Sequence, residues 1–339
     1  MFKRIWTVFI ARNREFYRDK AGLGWNILFP VFIIIGFSLM FRDDHQIIFK
    51  AGIVKGETSA EYYQKFRSVK YIEFVEFAGR EEAEAKLHVH KIDILVDPAR
   101  NEYLTNSLSP KGYVAEIVLR WANSSEKEGL TQKNISRREI PYVEWLFPGI
   151  LAMNMMFSAL FGVGYVIVRY RKNGVLKRFS VTPLRAHEFL TAQIISRLFV
   201  ILLTTSVIFF PVSMIFGFTC EGSILDLYLL FMLSAFAMIS LGILIASRNS
   251  NEELADGVLN LISWPMMFLS EVWFSLEGTA EWVKVAAKFF PLTYLTDGAR
   301  RIMNEGASLY DIRFNLLVLA LMSVVFLTAG SLLFRWDRK

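Results

Sequence analysis

The chain has 339 residues, and 54% of them are hydrophobic. Several membrane-spanning helices account for this composition more directly than a single water-soluble core does. The one cysteine, Cys220, excludes an internal disulfide and a cysteine-based metal cluster within this sequence. The net charge of +6 does not indicate a nucleic-acid partner, because residues 42–141 are neutral overall and the basic excess lies beside apolar runs.

Residues 1–22 predict an amphipathic helix that lies along the membrane surface, with its cations toward anionic lipid. The apolar side chains near one face are Phe2, Ile5, Trp6, Phe9 and Phe16. The cations are Lys3, Arg4, Arg12, Arg14, Arg18 and Lys20. The alternative is a solvated helix that caps the membrane domain. We expect no cleavable signal peptide, because this basic segment precedes the first apolar run.

The first predicted span covers residues 23–41, with a kink expected at Pro30 and a charged exit at residues 42–44. Residues 42–141 then predict a small α/β domain on the extracytoplasmic side, inserted between the first and second spans. Short apolar alternations favour strands over residues 47–54, 71–77, 91–96 and 102–105. Helical periodicity favours helices over residues 59–69, 80–90 and 110–121.

Five further spans are predicted, over residues 142–168, 189–218, 225–246, 254–270 and 314–334. Pro211 is expected to interrupt the third span near its outer end. Residues 271–306 are broken at Pro291 into stretches too short to cross, which predicts a re-entrant or surface-lying hairpin. The fold class expected is therefore a polytopic α-helical membrane protein with six spans.

Six spans place both termini on one side of the membrane. The basic lead, the loop of residues 169–188 and the tail with Arg335, Arg338 and Lys339 all predict a cytoplasmic side. The expected location is the inner (plasma) membrane, with membrane lipid around a multi-pass protein and both termini in the cytoplasm.

The loop of residues 169–188 is the most basic segment between two spans. Residues 173–180 can form about two helical turns with three apolar side chains clustered to one side, Val175, Leu176 and Phe179. Thr182 precedes Pro183, which disfavours helix and predicts its end. A short helix pinned between two spans can convert a shift at one end into a tilt of both spans.

Small polar residues in the spans are candidates for a transport pathway. They are Asn154, Ser158, Thr204, Thr205, Asn260 and Ser263. Such residues more often form hydrogen bonds between helices than bind substrate. Arg197 is expected to snorkel to the cytoplasmic end of its span. No relay of charges follows the spans, which weighs against an ion-coupled secondary transporter.

Catalytic and metal-binding patterns are weak. His88 and His90 point to different faces of the predicted helix, so we expect no metal. No GxxxxGK[ST] loop occurs, so this chain is not expected to bind ATP itself or any other cofactor. No Ser/His/Asp arrangement stands out, and we expect no enzymatic activity of its own.

Two segments resemble the permeases of ABC-2 type transporters. RKNGVLKRFSVTPLRAHEFL resembles the segment between the second and third spans of that family. LADGVLNLISWPMMFLSEVWF, followed by EWVKVAAKFFPLTYLTDGARRI, is similar to the fifth span and the hairpin after it. Glu271 and Ser275 stand where the family often has Gly and then Pro. A domain after the first span occurs in one branch of the family.

The resemblance implies a permease subunit that exports an amphiphilic, lipid-linked or drug-like substrate. It implies two partners: a separate ABC ATPase that holds ATP and Mg on the cytoplasmic side, and a second permease chain, as a homodimer or heterodimer. It implies ATPase-coupling residues in the loop: Arg171, Lys172, Asn173, Gly174, Val175, Leu176, Lys177, Arg178, Phe179 and Pro183. It implies an outer hairpin or gate with Trp264, Pro265, Ser270, Glu271, Pro291, Asp297 and Arg300.

Three alternatives to this interpretation stay open. A membrane-anchored ligand sensor would need a cytoplasmic output domain or a partner that supplies one. A membrane-embedded lipid enzyme would need clustered His, Asp or Glu at the membrane boundary, but three of the four histidines lie in the inserted domain. A secondary transporter lacks a visible inverted repeat here.

Overall fold

The computed structural model describes residues 1–40, 49–55, 61–88, 92–97, 100, 102–105, 109–123, 141–248, 251–276 and 279–334. These belong to two compact units, Met1–Phe41 with Glu139–Lys339, and Arg42–Arg138. The expected charged exit at residues 42–44, His90 and the three tail cations lie outside the described residues.

The elements follow one another along the chain as helices and strands with a π-helical segment in the second span. They are α1 Phe2–Arg18, α2 Lys20–Met40, β1 Phe49–Val54, α3 Glu61–Arg67, β2 Ile72–Phe77, α4 Arg80–His88, β3 Ile94–Asp97, β4 Glu102–Thr105, α5 Pro110–Asn123, α6 Tyr142–Ala159, the π segment Leu160–Tyr165, α7 Val166–Lys172, α8 Val175–Ser180, α9 Ala186–Phe216, α10 Ile224–Ala246, α11 Glu252–Leu269, α12 Glu281–Ala287, α13 Pro291–Glu305 and α14 Arg313–Leu333.

The smaller unit is built on a four-stranded sheet in the order β2-β1-β3-β4. β1 pairs in parallel with β2 and β3, while β4 pairs antiparallel with β3. Parallel neighbours need crossover connections, and α3 and α4 supply them. Ile94 packs on one face with Phe66 of α3, and Leu95 packs on the other with Leu87 of α4. Because helices cover both faces, β3 is buried at all four positions.

Among the described residues of the larger unit, six helices run between the same two ends: α2, the continuous helix Tyr142–Lys172, α9, α10, α11 and α14. We name one end the basic end; it comprises α1, α7, α8 and the first turns of α9 and α11. We name the other the hairpin end; it comprises α12, α13, the first turn of α6 and the end of α11.

Five of these helices are long and apolar enough to cross a membrane. They are Lys20–Met40, Tyr142–Lys172, Ala186–Phe216, Ile224–Ala246 and Arg313–Leu333. α11 has 18 residues, and its first turns carry three carboxylates, of Glu252, Glu253 and Asp256, so it is less apolar than these five. Large apolar side chains on α2 and α14, such as Phe32 and Leu321, are exposed in the isolated chain. Exposure of this kind is typical of helices that face lipid or another subunit.

Two local predictions were wrong. The loop helix begins at Val175 instead of Asn173, because Asn173 ends α7 and Gly174 adopts a left-handed φ of +68° that breaks the helix. The third span is not interrupted at Pro211, and α9 continues through it to Phe216. The proline removes one backbone donor close to the helix end, where only about one turn depends on it.

Candidate functional site

The loop helix α8 is attached to the basic end by its apolar side. Leu176 is completely buried, and the Phe179 ring lies 5.8 Å from the Phe189 ring of α9. Lys177 and Arg178 lie on the exposed side, and Val181 just after the helix is 84% exposed. Pro183 is also exposed in the connection to α9. The helix is therefore held rigidly on one side while it presents two cations on the other.

The end of α7 is connected to the junction between α10 and α11. Arg171 donates hydrogen bonds to the carbonyls of Ala246 at 2.8 Å and Ser247 at 3.1 Å, which are among the carbonyls a helix end leaves without intrahelical donors. Lys172 pairs with Glu252 at 2.6 Å, and the same carboxylate accepts from the Tyr165 hydroxyl at 2.7 Å. Movement of the loop is thus coupled directly to the start of α11.

The start of α9 is connected to the N-terminal helix. Glu188 is 1% exposed and accepts from Arg4 through both carboxylate oxygens, at 2.7 to 3.1 Å. It also accepts from the backbone N–H of Arg185 at 2.9 Å, which closes the capping box of α9. Because α1 packs along α9, the N-terminal helix braces the same end that carries the loop.

A second group of contacts joins α1 to the second span. Arg12 donates to Glu15 at 2.7 Å, to the Gly162 carbonyl at 2.9 Å and to the Tyr170 hydroxyl at 3.3 Å. Glu15 also accepts from Tyr170 and, at 2.9 Å, from Arg169. Burial raises the pKa of the Glu15 carboxyl, but the Tyr170 hydrogen bond and the two guanidiniums outweigh it, so the pKa lies below its usual value.

Arg197 is buried inside the unit and does not snorkel as predicted. It is 8% exposed, and it donates from Nε to the Ser158 carbonyl at 2.6 Å and from Nη2 to the Ser158 hydroxyl at 2.7 Å. A Cβ placed on Gly162 would overlap the guanidinium. The side chain therefore runs sideways into the space that this glycine leaves, just where the π segment changes the helical pattern.

A cavity of about 800 Å³ lies between α1 and α2 on one side and the second span and α11 on the other. Three of the six pathway candidates line it: Asn154, Ser158 and Asn260. The wall also includes cations, carboxylates and large aromatic rings. These are Arg12, Arg169, Arg197, Glu15, Asp19, Asp256, Phe16, Trp25, Phe29, Phe157, Phe161, Trp264 and Trp273.

The other three pathway candidates lie outside the lining of this cavity. Thr204 donates to carbonyls of its own helix, at 3.0 Å to Val200 and 3.1 Å to Ile201. The hydroxyls of Thr205 and Ser263 are buried and have no hydrogen-bond partner among the described residues.

The hairpin end joins most of the residues expected at an outer gate. Ser270 contacts Thr293 at 2.9 Å between hydroxyls, and its carbonyl accepts from Thr296 at 2.7 Å. Asp297 accepts from Asn315 at 2.7 Å. Pro291 is buried as the first residue of α13.

Arg300 is the centre of this group. It donates to the carbonyls of Trp145, at 3.2 Å, and of Glu271. Its guanidinium lies 3.6 Å from the Trp145 ring centroid and 3.6 Å from the Glu271 carboxylate. Glu271 has a φ of +55°, so the turn uses the left-handed conformation at the position where glycine is usual in the resembled family.

Trp264 and Pro265 lie away from this group, on α11, where Trp264 lines the cavity. Sequence analysis missed Arg12, Glu15 and Tyr170 as site residues. The sequence shows only that Arg12 and Glu15 are three residues apart and can therefore pair on one face of α1. It does not show that they meet Tyr170 of the second span. Among the described residues, no group of three His, Cys, Asp or Glu side chains could hold a metal ion.

Comparison with known proteins gives consistent matches. A family profile described as ABC-2 family transporter protein matches residues 20–332. The chain is similar to the inner membrane transport permease YhhJ of Escherichia coli, with 26% identity over 240 residues, 69% of this chain and 63% of YhhJ. It is similar to the probable multidrug ABC transporter permease YbhR of E. coli, with 22% identity over 262 residues, 77% of this chain and 66% of YbhR.

A third relative is the daunorubicin resistance ABC transporter permease protein DrrB1 of Streptomyces coeruleorubidus. It is 20% identical over 199 residues, which cover 57% of this chain and 69% of DrrB1. By contrast, the chain spans slightly less than two thirds of the length of YhhJ and of YbhR.

Proposed function

Since the chain belongs to the ABC-2 transporter family, we propose that it is the permease subunit of an ATP-binding cassette exporter. A separate ATPase subunit, which holds ATP and Mg, binds the exposed side of α8. This chain contributes no ATP site and catalyses no reaction of its own. The observation that supports this function best is α8 itself: a short helix with a buried Leu176 and exposed Lys177 and Arg178, held between two long apolar helices.

Force applied to α8 reaches the membrane helices through the contacts of the basic end. The Phe179–Phe189 contact transmits it to α9, and the Lys172–Glu252 pair transmits it to α11. The N-terminal helix follows through Arg4 and Glu188. Because packed elements move as rigid bodies between discrete arrangements, a small shift at α8 changes the tilt of several spans together.

We count α11 as a sixth span. Its first residue, Glu252, pairs with Lys172 at the basic end, and Ser270, just after it, contacts Thr293 at the hairpin end. The positive-inside rule places the basic end in the cytoplasm of a protein of the inner membrane. The hairpin end then faces outward and α12 and α13 form the re-entrant gate. The extracytoplasmic position of residues 42–141 and the cytoplasmic position of both termini stay predictions.

The substrate we propose is amphiphilic, drug-like or lipid-linked, and it moves outward. The name of YbhR refers to multidrug transport and that of DrrB1 to daunorubicin resistance, and the cavity wall of this chain combines aromatic rings with a few charges. A second permease chain completes the pathway, as a homodimer or a heterodimer, and covers part of the exposed apolar surface of the unit.

Replacement of the buried anchor of α8 tests this function. We expect Leu176→Asp to abolish most of the substrate-stimulated ATP hydrolysis of the complex, because a carboxylate cannot remain in the apolar contact. Gly174→Asp gives a second variant, in which a side chain must adopt the left-handed conformation. ATP hydrolysis and export are measured in vesicles, after co-purification of the complex from native membranes.

The matched control is Tyr113→Asp, which adds the same charge in the exposed first turn of α5 in the smaller unit, where the helix dipole favours aspartate. We expect it to leave hydrolysis unchanged. Full export by either loop variant, or by the purified chain without a nucleotide-hydrolysing partner, contradicts the proposal.

A further inference from the structure

We propose that the cavity between α1, α2, the second span and α11 binds an amphiphile with one anionic group, which is held at Arg197 while its apolar part lies along the aromatic wall. The inference rests on the proposed function, because it names the class of substrate that the permease takes.

The first argument is the charge of Arg197. Its side chain lines the cavity and is 8% exposed, and its two described hydrogen bonds go to neutral atoms of Ser158. None of the ion pairs among the described residues involves Arg197. A buried guanidinium normally has a carboxylate or phosphate to offset its desolvation. A guanidinium has five N–H donors, so donors remain beyond those that Ser158 receives.

The second argument is how the charges of the wall are paired, since three arginines and three carboxylates line it. Arg12 and Arg169 also line the cavity, and both pair with Glu15. Two guanidiniums therefore share the Glu15 carboxylate, and among the described residues none of the three carboxylates of the wall forms an ion pair with Arg197. The other two carboxylates of the wall, Asp19 and Asp256, form no ion pair with these arginines among the described residues. Asp19 instead accepts from the Gly22 N–H at 2.9 Å.

The third argument is the remainder of the wall. Phe157, Phe161 and Phe29 face the cavity together with Trp25, Trp264 and Trp273. Its volume of about 800 Å³ falls in the range of pockets that bury a drug-sized molecule. Aromatic rings favour an apolar chain or ring system and do not favour a fully hydrated anion. An aromatic wall together with the guanidinium of Arg197 favours a molecule that has both an apolar part and an anionic group.

Quenching of tryptophan fluorescence tests this inference, because three of the eight tryptophans line the cavity. The purified chain in phosphatidylcholine nanodiscs is titrated with octadecyl phosphate brominated at mid-chain, because bromine quenches tryptophan on contact. The matched uncharged probe is the brominated octadecanol, and inorganic phosphate is the head group alone. We expect the alkyl phosphate to quench at about tenfold lower concentration than the alcohol, and inorganic phosphate to compete only weakly.

Variants assign the charge preference to Arg197. We expect Arg197→Gln and, to a smaller extent, Arg12→Gln to reduce the tenfold preference for the phosphate toward one, while Arg197→Lys keeps part of it. Arg14→Gln, on the exposed side of α1, is the matched control and keeps the full preference. If Arg197→Gln is not monodisperse, Arg12→Gln and Arg197→Lys decide the result.

Equal quenching by the phosphate and the alcohol in the unmodified chain overturns the inference. Unchanged preference in the Arg197 and Arg12 variants also overturns it. Because the measurement uses no ATPase and no nucleotide, its failure is separate from failure of the proposed function, which depends on co-purification and hydrolysis.

Discussion

Arg197 and Arg300 are both buried to the same extent, yet their surroundings differ. Each is 8% exposed. Arg300 at the hairpin end has the Glu271 carboxylate at 3.6 Å, the Trp145 ring at 3.6 Å and two carbonyl acceptors. Arg197 near the basic end has the two oxygen atoms of one serine, Ser158, the Phe16 ring at 5.6 Å and the edge of a cavity, with no carboxylate paired to it among the described residues.

The difference separates two uses of a buried cation. The protein itself satisfies Arg300, so this residue fastens the first turn of α6 to the turn after α11 and to α13. Arg197 is only partly satisfied by its own chain, and the missing anion is what a ligand can supply. The burial of a charged side chain alone therefore does not identify a binding site. What identifies it is a buried charge for which the chain itself supplies no group of opposite charge.

The largest expected effect is at the hairpin end. Arg300→Met removes a buried cation and leaves two partly buried carbonyls, of Trp145 and Glu271, without their donor, so we expect a loss of about 3–5 kcal/mol in the free energy of unfolding. Thermal unfolding of the purified chain measures it. Arg301→Met, one residue further on, is the control and should change stability by less than about 0.5 kcal/mol. Equal losses in both variants would show that the Arg300 contacts are not special.

An intermediate effect is expected at Gly162. A Cβ at this position overlaps the Arg197 guanidinium, so Gly162→Ala should cost about 1–3 kcal/mol and displace Arg197 from Ser158. Gly257→Ala is the matched control, because a Cβ there meets nothing within 4 Å; in a helix interior it should stabilise by about 0.5–1 kcal/mol. Thermal unfolding compares the two variants. If Gly162→Ala leaves the stability unchanged, the Arg197 side chain is able to move out of the way of the added methyl group.

The smallest effect concerns pH at the contact between α1 and the second span. The pKa of Glu15 is lower in the folded chain than in the unfolded chain. The ionised carboxylate therefore stabilises the fold fully above the unfolded pKa of about 4.3, and this stabilisation is lost as pH falls through the folded-state pKa. Half-exposed ion pairs are screened, and we expect less than about 1 kcal/mol. Proteolysis of α1 as a function of pH measures it. Glu15→Gln should remove the acid dependence, and an unchanged profile in this variant would assign the dependence to another group.

The burial of Arg197 changes one argument against ion-coupled transport. That argument took Arg197 to snorkel out of the membrane core, and this prediction was wrong. Membership in the ABC-2 transporter family now provides the stronger reason to favour a permease driven by ATP on a partner.

The sequence by itself determined the membrane class, the family and the approximate position of each long helix. Apolar runs such as residues 225–246 and the break at Pro291 depend on a few neighbouring residues, and such local signals can be read without tertiary structure. The strand predicted over residues 102–105 coincides with β4, Glu102–Thr105, for the same reason.

Only the tertiary structure decided which polar residues meet. Arg12 contacts Gly162 across 150 positions, and Arg300 contacts Trp145 across 155, and no local pattern encodes partners so distant. Whether Arg197 reached water or turned inward depended on the space at Gly162, which belongs to a different helix. A charge pattern shows that a cation is present; only packing shows whether the chain supplies its counter-charge.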